Sequence, residues 1–174
     1  MVDEQLSNLL VEALETERGE VSIYETALRC AVDVGLRSAW QDQAEVASRH
    51  AEIVEGAVAE VGVDSSVRTT TSAAVHYIEA TLVHAMEMAL ESAPPGTAEL
   101  VALECVSFAE ARDRLNWERL SDAVNRIDGE AGAALKAVSA EITGAAPTTR
   151  PAVAGFGQKA GAPARERATF RRAG

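Results

Sequence analysis

The chain has 174 residues, of which 47% are apolar and 4% aromatic, and it carries a net charge of −11. This length favours one domain with a proper core, and a composition dominated by Ala, Val, Leu and Glu is typical of closely packed helices. The acidic balance argues against a nucleic-acid-binding domain, because an acidic surface repels phosphates, and it suits a protein that attracts cations.

A 3.6-residue apolar period covers almost all of the chain up to residue 142 and predicts helices. The first helix is expected from about residue 4 to residue 34, ending before Gly35. Ser38 and Gln41 have the spacing of a capping box, which would start a second helix that ends near Gly62. The turn signals Pro94-Pro95-Gly96 and Asp128-Gly129 separate three further helices. These are predicted over about 73–91, 97–127 and 130–142.

The last thirty residues differ from the rest of the chain. Residues 145–174 are rich in Gly, Ala, Pro and Arg, have no apolar period and carry a net charge of +5, which leaves −16 for residues 1–144. The sequence therefore predicts an all-α domain over 1–144, a four-helix bundle with a short fifth helix, followed by a disordered tail over 145–174. The tail is either an uninvolved extension or a docking peptide for an acidic surface.

Glu17 interrupts an apolar stripe on the first predicted helix. Positions 10, 14, 17, 21, 24, 28 and 31 share one face, and the other six residues suit a core. A carboxylate in a packed core is unfavourable unless it is paired, protonated or bound to a cation. Glu17 is therefore either a metal ligand or a residue at the stripe edge that pairs with Arg18. The nearby Gly19 weakens a helix by ~1 kcal/mol and is typical of a close approach beside a site.

Polar residues with apolar neighbours three or four positions away occur on the other helices as well. They are His50 on the second helix, Glu87 on the third, and Glu110 with Asp113 on one face of the fourth. Carboxylates that converge in a core repel one another unless a multivalent cation compensates them, and oxygen ligands with imidazole suit iron or manganese.

Each of these residues also has a structural interpretation. His50 is then a core histidine satisfied by a hydrogen bond, and either Glu110 or Glu104 pairs with Arg112 or Arg114. His76 and Glu79, near the start of the third helix, are expected to form an exposed ion pair. The two methionines of the third helix, Met86 and Met88, are expected in the core.

Three stretches, ETERGEVSIYETAL (15–28), AMEMAL (85–90) and AEARDRLNWERL (109–120), resemble the ferritin-like superfamily, and most of all its small stress-associated members of the YciE type. The resemblance covers about residues 5–142. It implies that Glu17 is a metal ligand and that Tyr24, seven residues later, supports the site. It also implies a crossover between the second and third helices along the bundle, for which residues 62–72 reach only ~36 Å when extended.

In that family the second and fourth helices each supply a Glu-x-x-His pair. This chain has Ala47 three residues before His50, and Asp113 three residues after Glu110. The likeness therefore implies an incomplete site, with a single metal or an asymmetric pair.

The function implied is that of a non-haem protein that binds iron or manganese through Glu17, His50, Glu87, Glu110 and Asp113, with a role in iron oxidation or oxidative stress. Whether it is an enzyme stays open. The alternative is a metal-free helical bundle for interaction or assembly, with its acids in ion-pair networks. Long alanine-rich helices predict a homodimer under either interpretation.

The expected location is the cytoplasm. The N-terminus is acidic and lacks the apolar run of a signal peptide, and no segment approaches the ~18 apolar residues of a membrane span. Neither a membrane nor a nucleic acid is therefore an expected partner. Cys30 and Cys105 are predicted to be buried reduced thiols.

Overall fold

The structure is a computed structural model that describes residues 3–145. These residues form five helices and no strand, so the prediction of four long helices with a short fifth is confirmed. The helices are α1 (Glu4–Cys30), α2 (Val34–Glu60), α3 (Thr70–Ser92), α4 (Pro95–Val124) and α5 (Glu130–Ala145). The predicted disordered tail, apart from Ala145, lies outside the described residues. Within them, every helix is too short or too polar to cross a membrane.

The helix ends differ from the predicted ones because other residues form the caps. Asp33 caps α2 by accepting a hydrogen bond of 3.0 Å from the Leu36 amide, so α1 ends at Cys30 and the Ser38 capping box is not used. Thr69 and Ser72 form a capping box that starts α3 three residues earlier than predicted.

The central helix of the bundle is α1, which packs against α2, α3 and α4. Its C-terminal half lies in one apolar cluster, with Trp40 of α2 and Met86 of α3, and its N-terminal half lies in a second cluster, with Val58 of α2 and Leu120 of α4. Between the two clusters, α1 buries four polar side chains. These are Glu12, Thr16, Glu17 and Glu20.

Contacts along α1 establish the direction of every neighbouring helix. The turn over residues 31–33 reverses the chain into α2. Side-chain pairs show that α1 runs parallel to α3 and antiparallel to α4. These pairs are Glu15–His76 and Arg29–Glu87 for α3, and Glu12–Arg119 and Tyr24–Glu110 for α4. The four long helices therefore alternate in direction along the chain.

The connection between α2 and α3 follows from these directions. Residues 61–69 leave α2 and enter α3 at the same end of the bundle, beside Ser7 and Val11 at the start of α1. The lengthwise crossover that the family resemblance implied is thus wrong for this chain, since an alternating bundle needs only a short connection at one end.

Candidate metal centre in the bundle core

Glu17 is fully buried, at 0% exposure, in the middle of α1. The indole Nε1 of Trp117 donates a hydrogen bond of 2.8 Å to its Oε1. The Nδ1 atom of His50 lies 3.5 Å from its Oε2, which is too far for a good hydrogen bond, so Oε2 has no hydrogen-bond partner among the described residues. The predicted pairing with Arg18 is wrong, because Arg18 bonds Glu55 at the surface at 2.7 Å.

Glu20 lies almost one turn after Glu17 on the same side of α1, and the sequence argument missed it. Its side chain is buried, and its Oε1 has no hydrogen-bond partner within residues 3–145. Burial raises the pKa of Glu20 well above its ordinary value, and the negative charges of Asp113 and Glu17 raise it further. The three-residue spacing from Glu17 was the sequence signal that could have identified it.

The fourth helix contributes Glu110 and Asp113, also three residues apart. In the part of the chain that the structure describes, Asp113 Oδ1 is buried without a hydrogen-bond partner. Burial, with the negative charge of Glu17, raises the pKa of Asp113 to about 8. Glu110 accepts a hydrogen bond of 2.9 Å from the hydroxyl of Tyr24. Burial, reinforced by Glu20 and Glu110, raises the pKa of Tyr24 far above its ordinary value, so the phenol stays protonated and keeps donating.

We call Glu17, Glu20, Glu110 and Asp113 the core acid cluster. The guanidinium of Arg112, on the same helix as Asp113, lies 3.2 Å from Glu79 and 3.5 Å from Glu12. Arg112 therefore pairs with two acids outside the cluster. Among the described residues, His50 is the only basic side chain in ion-pair contact with the cluster.

Glu79 is the buried acid of α3. It is buried against Arg112, and burial raises its pKa to about 8 although Arg112 opposes the shift. The expected exposed pair of His76 with Glu79 is wrong, since His76 lies 2.9 Å from Glu15 instead. The close approach predicted at Gly19 is confirmed, because a Cβ at that position would overlap the Glu79 carboxylate.

Glu87 is the one predicted ligand that the structure does not bring to the cluster. It bonds Arg29 at 3.4 Å on the surface of the bundle. Glu87 follows Glu79 by eight residues, which turns its side chain about 80° away from the inward direction of Glu79. Of the other four predicted ligands, Glu17 lies 3.5 Å from His50, and His50, Glu110 and Asp113 line one cleft.

A cleft of about 680 Å³ connects the site to the surface between α2 and α4. Three acids of the cluster line it, namely Glu20, Glu110 and Asp113, together with Tyr24, His50 and Trp117. Farther along, the wall includes Ile142 of α5. The cleft, which Arg114 also lines, therefore brings a small solute to the carboxylates of the site.

The arrangement provides carboxylate oxygens and one imidazole in a buried region of high negative charge. As the side chains of residues 3–145 stand, no group of three or more His, Cys, Asp or Glu residues is arranged to hold a metal ion. Cys30 and Cys105 are buried free thiols, as predicted, and neither lines the cleft. Comparisons of the chain with models of protein families, with curated proteins and with solved structures found no match.

Proposed function

We propose that the protein binds a divalent metal ion, iron or manganese, at the core acid cluster together with His50. The observation that carries the proposal is the set of unpartnered buried oxygens, Glu17 Oε2, Glu20 Oε1 and Asp113 Oδ1. Buried carboxylates that face one another without a hydrogen bond or a cation are unfavourable, and a bound divalent ion removes that penalty.

The residues provide suitable donor atoms for such an ion, and the cleft lets an ion reach them. Oxygen donors with one imidazole suit iron and manganese, and the cleft gives an ion a path to Glu20, Glu110 and Asp113. The donors are not arranged to hold an ion as they stand, so binding has to draw the carboxylates together. Mutual repulsion of the acids is a physical reason for their separation without a cation.

Neighbouring side chains prepare this region for a cation. Trp117 orients Glu17 and Tyr24 orients Glu110 by hydrogen bonds. A bound ferrous ion would supply one-electron chemistry with oxygen or peroxide, which is the basis of a proposed role in iron oxidation or oxidative stress in the cytoplasm. The proposal assigns metal binding and assigns no catalytic reaction.

A metal-free bundle with an interaction or assembly role is the second candidate. The raised pKa values of Glu20, Glu79 and Asp113 favour it, because protons alone can neutralise these acids near neutral pH. Because the helices alternate in direction, the order of their connections does not support a ferritin-like function. Metal binding is therefore proposed from the side chains alone.

Thermal melts of the full chain separate the two candidates. Ferrous or manganous ion should raise the Tm in a concentration-dependent way, since a ligand of the folded state stabilises it by mass action. Glu17→Gln should abolish that response and leave the apo protein as stable as before or more stable. In the matched control Glu87→Gln, which removes the same charge at the surface, the metal response should persist.

The structural interpretation gives a different pattern. Glu17 would then be a needed partner of His50, and Glu17→Gln would lower the apo stability by about 1–3 kcal/mol, while metal changed nothing. A Tm of the parent protein that does not respond to either metal would refute the proposed function.

A further inference from the structure

The outer surface of α3 and α4 carries most of the large exposed apolar side chains among the described residues. We call this set the α3–α4 outer face; its members are Tyr77, Ile78 and Met88 on α3 and Leu100, Phe108 and Leu115 on α4. Tyr77 is 74% exposed and Phe108 is 67% exposed. The expectation that Met88 packs in the core is wrong, whereas Met86 does lie there. Soluble monomers rarely leave a large contiguous apolar patch uncovered.

Helical spacing places these side chains on one surface. Tyr77 and Met88 are separated by about three turns, and Phe108 and Leu115 by about two, so each pair lies on one side of its helix. The Glu79–Arg112 contact sets the level at which the antiparallel helices face each other, and it puts Ile78 beside the segment 111–115. The apolar positions of the two helices therefore lie side by side.

The charge distribution favours a second copy of the chain as the occupant. Residues 1–144 carry −16, so two copies repel each other over most of their surfaces. From Thr70 to Glu87, however, α3 has only two formally charged residues, Glu79, buried against Arg112, and Glu87, paired with Arg29. Two copies can approach along α3 with little repulsion, whereas a basic partner would be attracted to the acidic faces instead.

The length of α3 and the exposed aromatic side chains of the face provide part of the area that a dimer interface needs. A stable interface buries about 800 Å² on each partner, and α3, with 23 residues, is about 34 Å long. An aromatic side chain buries roughly 150–250 Å², so the exposed parts of Tyr77 and Phe108 supply roughly 200–350 Å². The four aliphatic side chains and the alanines between them extend this contact along both helices.

We infer that two copies of the protein pack through the α3–α4 outer face about a two-fold axis. An isologous contact uses the same surface on both copies, and an apolar surface is complementary to itself. The exposed Glu104, four residues from both Leu100 and Phe108, adds an acid to the α4 part of this face. The inference goes beyond the proposed metal centre and is independent of it, because no residue of the face belongs to the core acid cluster.

Sedimentation equilibrium of the full chain over a range of concentrations tests this inference. The parent protein should have about twice the chain mass of 18.3 kDa. Phe108→Glu and Tyr77→Glu should each shift it to the monomer mass, because each copy would then have to bury a charge in an apolar contact. Val34→Glu is the matched control, since Val34 is 81% exposed at the start of α2 and does not belong to the face.

Circular dichroism establishes that each variant keeps its helices. If a glutamate variant loses them, Phe108→Ser or Tyr77→Ser takes its place and should still weaken the dimer at least tenfold. A parent protein that stays monomeric at the highest concentration overturns the inference. A dimer that persists in folded variants at both Phe108 and Tyr77 also overturns the inference. The same holds if the Val34→Glu control dissociates as much as the variants of the face.

Discussion

At the scale of single residues, the environment of Glu17 explains why an acid occupies an apolar stripe. The indole of Trp117 satisfies one carboxylate oxygen, and the other is left between His50 and the remaining acids. A purely structural glutamate would be expected to have both oxygens bonded, since an unsatisfied buried acceptor lowers stability. Glu17 differs from an ordinary buried ion-pair residue in having this unpartnered oxygen, Oε2, among the described residues.

Apolar flanking residues identified Glu17, His50 and Glu110 from the sequence, and Asp113 was added because it shares a helix face with Glu110. In the structure, Glu17 lies 3.5 Å from His50, and His50, Glu110 and Asp113 line one cleft. The same test selected Glu87 in place of Glu79 because α3 is apolar on its outer side as well as its inner side. An apolar neighbour such as Met88 therefore does not mark a core position on α3. Only the packing of α3 against α1 shows which of its acids faces inward.

Gly19 provides a prediction at this scale. Gly19→Ala should destabilise the protein by about 1–3 kcal/mol, although alanine favours a helix, because the new Cβ displaces Glu79 from its buried contact with Arg112. Urea unfolding measures the difference. The control is Gly56→Ala in α2, where no atom lies within 4 Å of the added Cβ, and it should stabilise by about 0.5–1 kcal/mol. A gain in stability at both positions would show that Glu79 moves away freely.

At the scale of elements, the helical period was sufficient to predict the number and approximate length of the helices. The ends were less predictable because neighbouring residues compete to cap a helix. Asp33 and Ser38 are both good N-cap residues, and Asp33 caps α2 while Glu99 of α4 accepts a hydrogen bond of 2.6 Å from its amide. That contact joins segments far apart in sequence, so local sequence could not reveal it.

The acids that lie between α1, α3 and α4 predict how the apo protein responds to pH. Asp113 and Glu79 have pKa values of about 8, and that of Glu20 is also raised, whereas ordinary carboxyls in an unfolded chain titrate near pH ~4. Between these values the folded state holds more protons than the unfolded state. The free energy of unfolding should therefore fall as the pH rises from about 4 to about 8.

Urea unfolding at pH 5 and at pH 8, without metal, measures this slope. Asp113→Asn should reduce the loss of stability between the two values, because it removes one of the acids that must lose a proton in the folded state. Glu87→Gln, at the surface, should retain the slope of the parent protein. Stability that is constant or higher at pH 8 would contradict the inferred protonation of the cluster.

At the scale of the whole molecule, alternating helix directions build a bundle around α1 with apolar clusters at both ends and acids between them. The family resemblance depended on short stretches of α1, α3 and α4, and such stretches carry no information about the order in which the helices are connected. The crossover was inferred from the resemblance alone, and the Glu15–His76 and Arg29–Glu87 contacts exclude it. Fold class was predictable from the apolar period, whereas topology depended on contacts between distant segments.

The central claim is that the core acid cluster binds a divalent cation. Titration of the metal-free full chain with Mn(II), followed by the electron paramagnetic resonance signal of the free ion, tests it most directly. The proposal predicts saturable loss of the free-ion signal for the parent protein and for Glu87→Gln, weaker binding at pH 5 than at pH 8, and none for Glu17→Gln. A free-ion signal that grows in proportion to added Mn(II) from the first addition, at pH 8 and with folded protein, would contradict the claim.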